Sequence, residues 1–158
     1  MPERETSGTE YPEPERGLHM LFIDGAKKKS LSGQAVGETA IGGVLKDPEG
    51  KTVLDTISKG ISPVRGPLEA EYHALIEGLG LALTHKISYI AVFSDSRTLV
   101  NQVNNIWERR KHFVELCNRV QEMLATFAAG GSQVSWIPRE WNKEAHEQAD
   151  QALNAPDN

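Results

Sequence analysis

The stretch LHMLFIDGA, residues 18–26, decides the fold. Apolar side chains fall on both of its faces up to Ile23, as in a central strand covered on either side. The run then stops at Asp24-Gly25, a charged residue and a conformationally free one at the end of an otherwise apolar strand. Downstream, AIGGVL (40–45) and TVLDTIS (52–58) predict two more strands, and PEG (48–50) between them predicts a hairpin turn. ISPVRGP (61–67) interrupts the pattern. A helix is then expected over 68–84, with Leu68, Tyr72, Leu75, Ile76, Leu79 and Leu83 on one face. ISYIAVF (87–93) reads as another buried strand, and TLVNQVNN (98–105) as a short helix. A longer helix over 112–127 carries Phe113, Leu116, Cys117, Val120, Leu124 and Phe127 at helical spacing, and the glycines at 130–131 end it. QVSWI (133–137) gives a fifth strand and 142–153 a last helix. The order βββαβααβα implies an α/β fold, a five-stranded mixed sheet flanked by helices on both faces. No glycine-rich phosphate loop follows the first strand, which excludes a dinucleotide-binding unit.

A length of 158 residues with 39% hydrophobic content suits one compact domain, expected over 17–154. Residues 1–16 are acidic, polar and proline-bearing and read as a disordered tail; 155–158 read as a short C-terminal tail. No apolar run approaches the ~18–20 residues that span a bilayer, so no membrane association is expected. The N-terminus lacks the apolar core of a signal peptide. A single cysteine, Cys117, cannot form an intramolecular disulfide and lies on a core stripe, so a cytoplasmic protein is expected. The net charge is −5, against the usual basic character of nucleic-acid binders. Much of it sits in the tail, with Glu3, Glu5, Glu10, Glu13 and Glu15 against Arg4 and Arg16. A phosphate-binding surface must therefore be local, and Lys27-Lys28-Lys29 and Arg109-Arg110-Lys111-His112 are the candidates. Either run alone fits a solvated loop or helix face better than a binding patch.

Asp24 ends the first strand and Asp95 the fourth. By strand alternation Asp24 shares a face with Phe22 and Met20, and Asp95 with Phe93 and Ala91. A carboxylate there is costly to desolvate without a partner or a cation. If the two strands are parallel neighbours, both acids emerge at one sheet edge, the usual ligand edge of open α/β sheets. Either aspartate alone could instead cap a turn or the next helix. Glu71, in the first turn of the first long helix, could simply complement the helix dipole, as could Glu69. Three acids on three core elements, all able to face one edge, favour a hard cation such as Mg²⁺ or Mn²⁺ over zinc. Two such ions ~3.5–4 Å apart stabilise the attacking and leaving oxygens of an in-line phosphoryl displacement, with no protein nucleophile.

Five segments in order, FIDGA (22–26), AIGGVL (40–45), EAEYHALIEGL (69–79), FSDS (93–96) and WIPREWNKEAHEQADQAL (136–153), resemble the type 1 ribonuclease H family. The similarity is strongest to its compact bacterial, archaeal and plant-like branch and spans residues 18–153. It implies a metal-dependent endoribonuclease that cuts the RNA strand of RNA–DNA hybrids with two Mg²⁺ or Mn²⁺ ions and acts as a monomer. The family carries four metal positions, Asp, Glu, Asp and Asp in chain order. Asp24 resembles the leading aspartate and Asp95 the middle one. Glu71 resembles the glutamate, because the family motif corresponds to Ala70-Glu71-Tyr72, which leaves Glu69 as its neighbour.

The fourth position departs from the family. Its Arg-x-x-Asn-x-x-Ala-Asp string is here Arg139-Glu140-Trp141-Asn142-Lys143-Glu144-Ala145-His146, so His146 stands where the fourth Asp is expected. A neutral imidazole can ligate a metal or hold a water but brings no negative charge, which weakens Mg²⁺ binding at that subsite and favours Mn²⁺. Asp150, one helical turn later, is the fallback; a purely structural His146 also fits. An exonuclease of the three-Asp, one-Glu, one-His type is disfavoured. It needs Asp-x-Glu on the first strand, where this chain has Asp24-Gly25-Ala26, and a five-residue His-to-Asp spacing, where His146 and Asp150 are four apart.

For substrate, the resemblance points to Gly25, Lys27, Lys28, Ser96, Trp107, Arg109, Arg139 and Asn142. The polar pair that usually precedes the catalytic glutamate is replaced by Gly66-Pro67-Leu68, and Trp136 stands where some relatives carry a mobile histidine. Two other functions stay open: a hybrid-binding module with weakened catalysis, and a nuclease on another RNA.

Overall fold

A computed structural model describes residues 17–27, 38–105, 108 and 111–154. The expected terminal tails, Lys28, Lys29, Trp107, Arg109 and Arg110 lie outside the described residues. Five strands form one sheet: β1 (His19–Lys27), β2 (Thr39–Lys46), β3 (Val53–Ile61), β4 (Ile90–Ser94) and β5 (Ser132–Trp136). The helices are α1 (Pro67–Thr84), α2 (Arg97–Val103), α3 (Lys111–Leu124) and α4 (Lys143–Leu153), with a 3₁₀ turn at Arg139–Trp141. The sheet order is β3-β2-β1-β4-β5. β1, β2 and β3 pair antiparallel, whereas β4 runs parallel to both β1 and β5. This is the ribonuclease H fold, a mixed sheet as the element order implied.

The apolar positions of β1 sort by alternation onto two cores. Leu21 and Ile23 join Ile41, Tyr72, Leu75, Leu79, Phe113, Cys117 and Val120 beneath α1 and α3. Met20 and Phe22 join Ala91, Phe93, Ile137 and Ala145 on the opposite side, where α4 packs. Each of these strands is thus covered twice, which is why their sequences read as unbroken apolar runs. Among the described residues no helix is long and apolar enough to cross a membrane.

Two glycines set how closely the helices approach. A Cβ on Gly25 would lie 2.8 Å from the backbone carbon of Ala70, so α1 lies directly against the end of β1. A Cβ on Gly42 would run into the Ala145 oxygen and the Ala149 nitrogen, so α4 lies equally close on β2. Gly42 is the cross-strand partner of Asp24. Both helices are therefore pressed onto the sheet at the level of that aspartate.

Element boundaries differ from the sequence reading in several places: β1 runs on past Asp24 to Lys27, paired with β2 as far as Thr39, and α3 ends at Leu124 and not at residue 127. β4 begins at Ile90 and not at residue 87, because Lys86 takes a left-handed φ of 58° and the Ile87 N–H donates back to the Ala82 carbonyl. Residues 87–89 are spent leaving α1, although Ile87 still reaches the core. β3 runs on to Ile61, held by pairing with Thr39. The 3₁₀ turn at 139–141 has no counterpart in the sequence reading; it delivers the chain from β5 to α4.

Candidate active site

Asp24, Glu71 and Asp95 converge at one edge of the sheet, with one carboxylate oxygen of each within 4.8 Å of the others. The parallel register explains the first pairing. Phe22 lies opposite Phe93, and their rings stack at 5.0 Å, so Asp24 and Asp95 follow two residues later on the same face. β4 itself ends at Ser94, one residue short of the expected end, which puts Asp95 just beyond the strand.

Glu71 arrives from the other face. Pro67 opens α1, where its missing N–H costs nothing, and the close contact at Gly25 carries Glu71 to the end of β1. The Gly25 N–H donates to Glu71 Oε1 at 2.8 Å. Gly25, expected to meet substrate, thus anchors the glutamate. Tyr72 beside it donates its hydroxyl to Gln102 Oε1 at 2.6 Å and ties α1 to α2.

Asp95 does not cap α2. That task falls to Ser96, whose hydroxyl accepts from the Leu99 N–H at 3.2 Å, while its own N–H donates to Ser94 Oγ at 3.1 Å. The Asp95 carboxylate remains available to the site. Its main-chain oxygen accepts from Trp136 Nε1–H at 3.1 Å, and its Oδ2 accepts from Asn142 Nδ2 at 3.3 Å. Asn142 also donates to the Ile23 carbonyl at 2.8 Å, and it is 1% exposed. It stitches β1 to Asp95 from the start of α4. Its Oδ1 is buried without a partner among the described residues.

His146 comes in on α4. Its Nδ1 lies 2.9 Å from Asp24 Oδ2, and its Nε2 lies 3.2 Å from Asp150 Oδ2. Both ring nitrogens face carboxylates: Nδ1 shares a hydrogen bond with Asp24, and Nε2 forms an ion pair with Asp150 when the ring is protonated. His146 stands outside the set of three clustered acids, and Asp150 reaches that set only through His146. The remaining expected contacts are peripheral. Lys27 Nζ donates to the Arg65 carbonyl at 3.4 Å, and Arg139 is exposed on the 3₁₀ turn.

Burial dominates the electrostatics. Desolvation raises the Asp24 carboxyl to about 6; the hydrogen bond from His146 pulls it down, and the charge of Asp95 pushes it up. Desolvation also holds Glu71 well above the carboxylate range, assisted by Asp24 and Asp95, against the Gly25 N–H and Arg139. His146 is raised chiefly by its hydrogen bond to Asp24, against its own desolvation. Crowded, desolvated carboxylates of this kind are relieved by a hard divalent cation, which prefers oxygen donors. The donor set fits such an ion.

Residues 25–152 match the family model described as reverse transcriptase-like. The chain belongs to the reverse transcriptase-like family. Its resemblance to type 1 ribonuclease H is borne out by solved structures. The RNase H1 of the halophilic archaeon Halobacterium salinarum NRC-1 is 25% identical with a TM-score of 0.79, the match covering 89% of this chain and 100% of that one. The N-terminal RNase H domain of Rv2228c from Mycobacterium tuberculosis is also 25% identical with a TM-score of 0.77, covering 88% and 95%. LC11-RNase H1, solved in complex with an RNA/DNA hybrid, is 23% identical with a TM-score of 0.73, covering 86% and 96%. No curated protein matches the sequence.

Sequence reasoning named Gly25 and Asn142 as substrate contacts but missed their organising roles, and it missed Gly42 altogether. Gly42 is visible as part of a glycine pair inside a strand, a signal of close backbone approach. The role of Asn142 leaves no such trace, because it depends on where α4 begins relative to β1.

Proposed function

We propose that this protein is a metal-dependent endoribonuclease that hydrolyses the RNA strand of RNA–DNA hybrids. The observation that carries the reading is the convergence of Asp24, Glu71 and Asp95 at one sheet edge of a ribonuclease H fold. The hybrid bound by the similar LC11-RNase H1 supports the substrate class. Asp24, Glu71 and Asp95 would hold Mg²⁺ or Mn²⁺, two ions in the full site. When bound, such ions supply the positive charge that activates water and neutralises the departing oxyanion.

The protein's own groups prepare that chemistry. The Gly25 N–H fixes the rotamer of Glu71, and Asn142 fixes Asp95 against β1. The aromatic floor of Phe22 and Phe93 keeps the inner side of the acids dry. His146 completes the site as its fourth member, holding or releasing a proton at Nδ1 beside Asp24. Asp150 steadies the other ring nitrogen. Lys27, Lys28, Ser96, Trp107, Arg109 and Arg139 are the proposed substrate contacts, on a single cytoplasmic domain (17–154) acting as a monomer.

The test is cleavage of labelled RNA–DNA hybrid, duplex DNA and duplex RNA in Mg²⁺ and in Mn²⁺. Hybrid-selective cleavage that disappears in Asp95→Asn is expected. A second reading, a hybrid-binding module with weakened catalysis, is favoured by the engagement of both His146 nitrogens by carboxylates. Tight hybrid binding without cleavage in either metal would establish it and overturn the first.

A further inference from the structure

Arg97 opens α2 two residues after Asp95, and its guanidinium carbon lies 4.0 Å from the centre of the Trp136 ring. The same indole donates its N–H to the Asp95 main-chain oxygen. One aromatic side chain therefore seats a cation and holds the peptide of a site carboxylate. Arg97 is exposed, and no carboxylate pairs with it among the described residues. A guanidinium seated over an aromatic ring keeps its charge and its N–H donors, and that N–H fork matches phosphate oxygens. A cation in the first turn opposes the helix dipole, so helix stability does not account for it. The chain is also acidic overall, and nucleic acid approaching three carboxylates needs a local positive anchor.

We propose that Arg97, seated over Trp136, binds a backbone phosphate of the nucleic acid next to the acid cluster. Arg97 is a binding residue, and Trp136 is the positioning residue that holds it beside the cluster. The assignment rests on the nuclease reading above and deepens it.

Arg97→Ala, Arg97→Lys, Trp136→Leu and Trp136→Phe are compared with the wild type on a hybrid. Two quantities are read: the salt dependence of metal-free binding, and KM separately from kcat. Arg97→Ala should raise KM roughly tenfold, with the loss falling on KM, and should lower the log–log salt slope by about one. Arg97→Lys should recover the slope but only part of the KM, because an ammonium keeps the charge without the fork. Trp136→Leu should reproduce part of the KM rise, and Trp136→Phe, which keeps an aromatic face, should not. Single neutral methylphosphonate linkages near the cut, placed in one strand and then the other, identify the phosphate as the one whose neutralisation erases the difference between Arg97→Ala and wild type. An active wild type with an unchanged slope and KM in Arg97→Ala means that Arg97 only packs on the indole, and the proposal fails alone. A difference that persists with neutral linkages in both strands also overturns it. If the wild type neither binds nor cuts hybrid, the nuclease reading falls and takes this assignment with it.

Discussion

Two helices reach Asp24 from opposite faces of the sheet, and they do so by different physics. α1 delivers Glu71, 8% exposed and hydrogen-bonded to a backbone N–H. α4 delivers His146, whose side chain is 46% exposed and, among the described residues, is paired with the carboxylates of Asp24 and Asp150. The first contact follows from the packing of one main chain on another and cannot drift without moving a helix. The other rests on side-chain rotamers and protonation within reach of water. Glu71 is accordingly part of the frame, and His146 is the adjustable member.

The largest expected effect breaks the frame side. Glu71→Gln keeps the shape and the bond from Gly25 but removes a charge from the cation-holding set. Hybrid cleavage should fall by roughly 10³-fold, about 4 kcal/mol of transition-state stabilisation. The metal-free variant should at the same time melt a few degrees higher, about 2–4 °C, because Glu71 is held well above the carboxylate range by desolvation and by its acidic neighbours. Retained activity would remove Glu71 from the site, and a lower melting point would contradict the account of its burial.

Next in size is a test of how α4 is seated. Gly42→Ala places a methyl against backbone atoms of Ala145 and Ala149, which no rotamer change can relieve. Destabilisation of about 3 kcal/mol is expected in urea unfolding, at the upper end of ordinary overpacking. Lifting α4 should also impair whatever His146 does while leaving Glu71 in place. An unchanged midpoint would show that α4 can slide freely on β2, and the contrast between the two helices would weaken.

Third, His146→Ala should lower kcat by about 10–100-fold, the scale of a general acid–base or supporting residue. Asp150→Ala should cost less, since Asp150 touches the site only through Nε2 of His146. The reverse ranking would make Asp150 the fourth member. Equal and negligible effects would leave His146 structural.

What the sequence discloses follows the same division. The acids of the frame are legible because each lies beside an apolar run whose period is a local pattern: Asp24 after LHMLFI, Asp95 after ISYIAVF, Glu71 beside the stripe of Tyr72 and Leu75. Their convergence needs the parallel pairing of β1 with β4, which local patterns suggest but do not contain. His146 is legible in register, from Asn142 and Ala145, but its partners are not. Which carboxylate each nitrogen meets depends on the depth at which α4 sits, and Gly42, more than a hundred residues earlier, sets that depth. Asn142 is named from the sequence as a substrate contact, but its anchoring role escapes for the same reason: a polar residue at a helix start looks exposed until the helix is docked. The late start of β4 comes from a left-handed Lys86, a conformation that a lysine does not advertise.

The smallest expected effect separates the two sides by pH. Without metal, the folded protein keeps a proton on Asp24 up to about pH 6, whereas the unfolded chain has released it near the ordinary value of 3.8. The native state binds more protons across that window, so metal-free stability should fall as pH rises through it. His146 acts with the same sign, because a raised pKa contributes stability below its ordinary value of 6.5 that is lost as pH passes the folded value. Cations compete with these protons for the same oxygens, so the gain in melting temperature on adding Mn²⁺ should be larger at about pH 7.5 than at about pH 5. In His146→Ala the hydrogen bond that pulls Asp24 down is gone, so the onset of the Mn²⁺ gain should move to higher pH. An onset unmoved by that substitution would mean that the bond from α4 does not govern the protonation of Asp24, and the site would be set by the α1 side alone.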